Sequence, residues 1–220
     1  DMIWLSVTAF FVSLIMGAIV LRCSHYVAST YSESMPQRIH AGEIPRLGGI
    51  GLLAGVLLSW LAGMFSSKGL GDPSSLRFGW STVWWGVVML PAVLGGISED
   101  LTQRLQVRYR LLLTLLTGAL GVALMDLYVP RLGLVWGDSV LAMFPWLGVV
   151  LTLLAIAGLP HAFNIIDGCN GLAGMVALII CLALAYVALQ VGDRTLAAML
   201  VTTAAATAGS RNGCRIETSC

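Results

Sequence analysis

Two adjacent carboxylates, Glu99 and Asp100, follow an apolar run that finishes Gly95-Gly96-Ile97. Side by side at the edge of a low-dielectric region they repel each other and are costly to desolvate, so they call for a compensating cation. A divalent metal, usually Mg2+ where phosphates are handled, takes carboxylate oxygens readily. Arg104, Arg108 and Arg110 lie in the same stretch (98–110). A guanidinium grips phosphate oxygens through two parallel N–H bonds. In a second group, His161, Asn164, Asp167 and Asn170 recur every third residue, which on a helix makes one polar stripe. Gly168 and Gly171 beside them permit close backbone approach or a broken helix, a device of ligand sites at membrane depth. A third group, Pro45-Arg46-Leu47-Gly48-Gly49, starts a helix after a proline and sets a cation at its mouth, with Arg38 and His40 just upstream. Plainer readings stay open for each group. They are a solvated helix end with Asp100 paired to Arg104 four residues on, a polar turn of Asn and Asp, and an arginine anchoring a helix entry.

The elements that must hold these groups are membrane helices. A span of the hydrocarbon core takes about 20 mostly apolar residues, and runs of that kind occupy residues 3–21, 47–65, 80–97, 111–128, 139–159, 171–190 and, shorter, 195–208. Strand-like alternation is missing, and an open sheet could not satisfy its backbone in lipid. The fold expected is therefore all-α, a polytopic transmembrane helix bundle of about seven spans. No internal repeat is visible, and glycines such as Gly48, Gly49, Gly51, Gly95 and Gly96 suit close helix packing. The run 3–21 has neither a basic segment before it nor a small-residue cleavage site after it, and reads as a first span.

Composition agrees. Hydrophobic residues make up 58% of the 220 and charged residues 10%, with mean hydropathy +0.89, whereas a soluble domain carries roughly a quarter charged residues. A net charge of +1 gives no field for nucleic acid, and five cysteines without a CxxC pair indicate neither a zinc site nor a disulfide framework. An N-terminus placed outside puts Arg22, Arg38, Arg46, Arg104, Arg108 and Arg110 in inner loops, against Lys68, Arg77, Arg131 and Arg194 in outer ones. Trp4, Trp60, Trp80, Trp84, Trp85 and Trp136 then fall near outer ends, as an interfacial belt would. Whichever way the chain inserts, the three polar groups occupy alternate loops and share one face of the membrane.

In this order the three groups resemble the polyprenyl-phosphate N-acetylhexosamine-1-phosphate transferases (glycosyl transferase family 4), which initiate O-antigen, teichoic acid and peptidoglycan lipid intermediates. The family's PRxGG-like element is similar to Pro45–Gly49. Its DD-containing loop resembles Glu99-Asp100, with a family-like VRxRLL at 107–112. Its NAFNxxDGxDG signature resembles HAFNIIDGCNG at 161–171, and the flavour is nearest the O-antigen branch. The resemblance covers residues 1–208. It implies transfer of N-acetylhexosamine 1-phosphate from a UDP-sugar to polyprenyl (undecaprenyl) phosphate with release of UMP. The setting it implies is a bacterial inner membrane, with Mg2+ or Mn2+ as cofactor, a cytoplasmic active face and a possible homodimer. The residues it implies as catalytic are Glu99, Asp100 and Asp167. Arg46, Arg104, Arg108, His161 and Asn170 would contact substrate, and Asn164, Asp167 and Asp100 the metal.

This chain departs from the pattern at His161, where the family has Asn, at Asn170, where it has Asp, at Glu99, where it has Asp, and at Glu43-Ile44 in place of PT. The family continues with a GDxG-type element, a histidine- or arginine-rich loop and further spans. Here a polar segment, 209–220, follows the transferase domain of 1–208, and a frameshift or truncation is the expectation. A chain so shortened is expected to insert but not to turn over. The rivals are a transporter whose ion or substrate site is the stripe 161–170, which calls for inverted repeats, and an inactive remnant of the transferase.

Overall fold

A computed structural model describes residues 2–24, 48–67, 78–102, 106–166 and 172–217. Among them the chain is all helix: α1 (Met2–Ser24), α2 (Gly48–Ser67), α3 (Trp80–Thr102), α4 (Val107–Met125), α5 (Val135–Met143), α6 (Trp146–Ile166), α7 (Leu172–Gln190) and α8 (Arg194–Glu217). Five of these, α1, α3, α4, α6 and α7, are long and apolar enough to cross a membrane, and α2 holds a shorter apolar stretch, Gly49–Phe65. The protein is thus a polytopic membrane helix bundle. Many apolar side chains are exposed: on α1 the ridge Ile3, Val7, Phe11, Ile15 and Ile19 recurs every fourth residue on one side of the helix.

The chain divides into two compact units, one of residues 1–78 and 174–220, the other of 79–173. In the first, α1 packs on both α2 and α8 through small residues. A Cβ on Gly55 would sit 2.8 Å from the Ala9 carbonyl oxygen and from the Ser13 Cβ, and one on Gly209 would strike the Phe10 carbonyl. Lipid tails offer helices no hydrophobic drive to associate, so close approach and interhelical hydrogen bonds do that work. The Ser13 hydroxyl donates to the Ala206 carbonyl at 2.7 Å. Trp60 donates its indole N–H to Thr202 Oγ1 at 3.1 Å, and the Thr202 hydroxyl passes its own proton to the Met199 carbonyl at 2.8 Å. Trp60 is buried, so it does not stand in an exposed belt; Trp4, Trp80, Trp84 and Trp136 are exposed and Trp85 is half-buried. At the α7–α8 turn Gly192 takes φ +81, and Asp193 Oδ1 caps α8 by accepting from the Leu196 amide at 2.9 Å.

In the second unit α3 and α4 form an antiparallel hairpin with three rungs. Nearest its base, the Ala92 amide, next to the helix-interior Pro91, donates to Thr117 Oγ1 at 3.1 Å. The Thr117 hydroxyl reaches back to the Leu113 carbonyl at 3.1 Å. Leu113 lies over buried Gly95, where an added Cβ would be 2.9 Å from Leu113 Cδ1. The outermost rung is the pair Glu99–Arg110. On α4's other side Gly118 meets Leu153 and Ile156 of α6, and the Val129 amide donates to Thr152 Oγ1 at 3.0 Å. Between α4 and α6, Asp138 Oδ1 accepts the amides of Leu132, at 2.6 Å, and Gly133, at 3.2 Å, shaping the turn into α5. With 9 residues at about 1.5 Å rise each, α5 is too short to cross.

Candidate functional site

Of the three polar groups, the two with polar side chains among the described residues belong to the second unit; of the third only Gly48 and Gly49 are described, at the start of α2. Glu99 and Asp100 lie in the last turn of α3, both half-buried. Arg110 Nη1 donates to Glu99 Oε1 at 2.6 Å, with the arginine side chain 19% and the glutamate 28% exposed. A charge-assisted bond of this length and burial is stronger than an exposed surface pair, which contributes about 0–1 kcal/mol. Arg110 is further fixed through its carbonyl, which accepts from the Thr114 hydroxyl at 3.1 Å. Arg108, two residues before Arg110, is exposed, its guanidinium 5.3 Å from the Tyr109 ring centre.

Of the signature 161–171, residues 161–166 are described and form the end of α6, which runs on through Pro160 to Ile166. His161 and Asn164 are therefore one helical turn apart on a common side. His161 Nδ1 lies 2.9 Å from the Ala157 carbonyl oxygen. A carbonyl only accepts, so Nδ1 carries the proton. His161 Nε2 is buried and has no hydrogen-bond partner among the described residues. In the neutral ring it presents a lone pair, ready to accept from an O–H or N–H donor. Asn164 is exposed, and its side chain offers both an acceptor oxygen and a donor NH2.

The register of the helices brings these residues to one end. The end of α4 and the turn beyond it meet the start of α6, through Val129 and Thr152, while Gly118 meets Leu153 and Ile156. The two helices are antiparallel, so the start of α4, with Arg108 and Arg110, and the end of α6, with His161 and Asn164, share one end of the unit. Glu99 joins them through Arg110. Arg46, Arg104, Asp167 and Asn170 lie outside the described residues, as does the pairing of Asp100 with Arg104. Sequence reasoning placed Arg110 among the phosphate-binding arginines; only the hairpin register, with residues 92, 95 and 99 opposite 117, 113 and 110, reveals its partner. Among the described residues no three His, Cys, Asp or Glu side chains come together as metal ligands.

An end with acids, arginines, a histidine acceptor and an amide suits polyanionic ligands neutralised partly by protein cations. Comparison with known proteins points the same way. The "Undecaprenyl-phosphate alpha-N-acetylglucosaminyl 1-phosphate transferase" of Yersinia pestis is 27% identical over 158 residues, 72% of this chain and 40% of that protein. Its namesake in Escherichia coli O157:H7 is 27% identical over 138 residues, 61% of this chain and 33% of that protein. The chain thus spans well under half the length of either relative. No solved structure matches it significantly. Residues 82–210, more than half of the chain and including both polar groups described above, match the model of glycosyl transferase family 4, and to that family the chain belongs.

Proposed function

We propose that this chain carries the phosphate-handling part of an enzyme that moves N-acetylhexosamine 1-phosphate from a UDP-sugar onto polyprenyl phosphate. The observation that carries the reading is the grouping at one end of the second unit. Acids and arginines of the α3–α4 hairpin stand there with His161 and Asn164 of α6, inside the family-matched region. In the reaction a lipid phosphate oxygen attacks the β-phosphorus of the UDP-sugar. A P–O bond forms, the bond to the bridging oxygen breaks, and UMP leaves with that oxygen. The attacking phosphate monoester is already mostly ionised near neutrality, so no strong base is required.

What the reaction does require is relief of repulsion. Two unit charges roughly 4 Å apart at an effective dielectric near 20 repel by about 4 kcal/mol. Arg108 is exposed and able to bind a phosphate in two-point fashion. A divalent cation such as Mg2+ takes one or two carboxylates and leaves its other positions to phosphate and water, so the oxygens of Asp100 and Asn164, with Asp167, are a fitting donor set. When bound it would neutralise charge on the transferring phosphoryl group. His161 Nε2 would accept a hydrogen bond from the nucleotide sugar, and Arg46, Arg104 and Asn170 would complete the substrate contacts. The substrates meet at the inner face of a bacterial plasma membrane, and the amino sugar belongs to an O-antigen or related surface glycan.

The decisive measurement is UMP release in detergent from UDP-N-acetylglucosamine, with Mg2+ and undecaprenyl phosphate. It is made on the 220-residue chain and on an extended version in which the C-terminal half of the Yersinia pestis relative follows residue 208. Lipid-dependent UMP release by the extended version is expected. Its failure to release UMP under any divalent cation would refute the reading. The side of the membrane is tested separately, with single cysteines in a cysteine-free background replacing Gly42, Thr102 or Ala162. An impermeant reagent applied from outside should label none of them; labelling of all three would reverse the orientation.

A further inference from the structure

We infer that Arg110 is a positioning residue that commits Glu99 to the α3–α4 hairpin, so that Glu99 fixes the end of α3 rather than binding a cation or substrate. Three observations converge. The Glu99–Arg110 contact is short and partly shielded, at 2.6 Å with 28% and 19% of the side chains exposed. It continues a ladder already set by Ala92–Thr117 and Gly95–Leu113, so both groups face each other because the helices do. Arg110 also lies under the Thr114–Arg110 hydroxyl bond one turn into α4, where the backbone is held. A divalent cation on the same carboxylate would sit against the guanidinium charge, which opposes its binding there. A glutamate reaches one methylene further than an aspartate, and here that reach is taken up in crossing from α3 to α4. Asp100, the next residue, projects from a different side of the helix, and its backbone is fixed by the same rung. That Asp100 serves a cation rests on the proposed transfer reaction; the commitment of Glu99 to Arg110 does not.

Hydrogen exchange and cation binding on the 220-residue chain in detergent test the pairing without any turnover. Glu99→Gln and Arg110→Gln should each speed amide exchange over residues 98–102 by about 10-fold, the loss of one charge-assisted bond. The double variant should be no worse than either single one, and the swap Glu99→Arg with Arg110→Glu should recover most of the protection. Mn2+ followed by its EPR signal should bind Glu99→Gln as it binds the parent. Arg110→Lys should fall between parent and Arg110→Gln, since a lysine keeps the charge without the fork. Additive effects in the double variant, or exchange unmoved by Arg110→Gln, would overturn the pairing. Loss of Mn2+ binding in Glu99→Gln but not in Arg110→Gln would overturn the positioning role and make Glu99 a ligand. Because the extended version's UMP release is scored independently, failure of the transfer reading leaves these outcomes readable.

Discussion

Ser13 in the unit of residues 1–78 and 174–220 and Thr117 in the unit of residues 79–173 perform the same local task on very different scales. Ser13 bonds a carbonyl 193 positions along the chain, whereas Thr117 receives an amide 25 positions away. Both units bury hydroxyls: Ser13, Ser59, Thr202 and Thr207 in the first, and Thr82, Thr114, Thr117 and Thr152 in the second. The second unit carries the Glu99–Arg110 ion pair at one end of its α3–α4 hairpin. The difference teaches where each part of the molecule can tolerate charge. The first unit is closed by backbone-to-backbone proximity, which admits nothing larger than a hydrogen at Gly55 and Gly209. The second accommodates charge at the end of its α3–α4 hairpin, where Glu99 and Arg110 pair and Arg108 is exposed.

That contrast can be broken most sharply at the acids. In the extended version Asp100→Asn and Asp167→Asn should each lower kcat by about 10²–10³-fold, the usual cost of removing one electrostatic group from such a site, while the thermal midpoint in detergent stays near the parent's. Near-parental turnover in both would show these acids to be structural. The next largest effect belongs to the other unit. Gly55→Val forces bulk against the Ala9 carbonyl and Ser13 and should destabilise by about 1–3 kcal/mol, read as a lower melting midpoint with unchanged UDP-sugar KM in the molecules that stay folded. A raised KM at unchanged stability would contradict the division between the units.

Smaller effects sharpen the picture within each unit. Thr117→Val removes the acceptor of the Ala92 amide and should cost about 1 kcal/mol, visible as faster exchange at that amide. Trp60→Phe removes the bond to Thr202 and should cost only about 0.6 kcal/mol, the average for an interhelical bond in a membrane. A loss from Trp60→Phe larger than that from Thr117→Val would reverse their order.

The spans easiest to read were those whose apolar runs coincide with single helices: 3–21 against Met2–Ser24, and 171–190 against Leu172–Gln190. Hydropathy failed where transfer energy and backbone continuity part company. The run 139–159 is apolar throughout, yet it straddles the break at Phe144-Pro145 that separates α5 from α6. The true span, α6, continues through Pro160, His161 and Asn164 because a helical ladder does not end merely at a polar side chain. Likewise 195–208 lost its apolar character before α8 lost its hydrogen bonds, and the helix proceeds to Glu217. Trp60 read as interfacial because tryptophan favours interfaces; only the acceptor on α8 explains its burial. The acid pair drew attention through its position at a span's end. The partner of Glu99 was not legible, because it depends on which α4 residue the hairpin sets opposite.

One unit is contiguous in the chain and the other is not, and this orders their biogenesis. The hairpin of α3 and α4 and its neighbour α6 are complete once residue 173 has left the ribosome, and their joining contacts are short-range. The other unit must wait. Its first two helices enter the bilayer with the Ser13 hydroxyl, the Gly55 face and the Trp60 N–H all lacking the α8 groups that later meet them. Only when residues 194–217 emerge can the carbonyl of Ala206 and the hydroxyl of Thr202 be supplied. Nascent chains halted before that point hold an unfinished seam, and a membrane protease or insertion chaperone would meet it there.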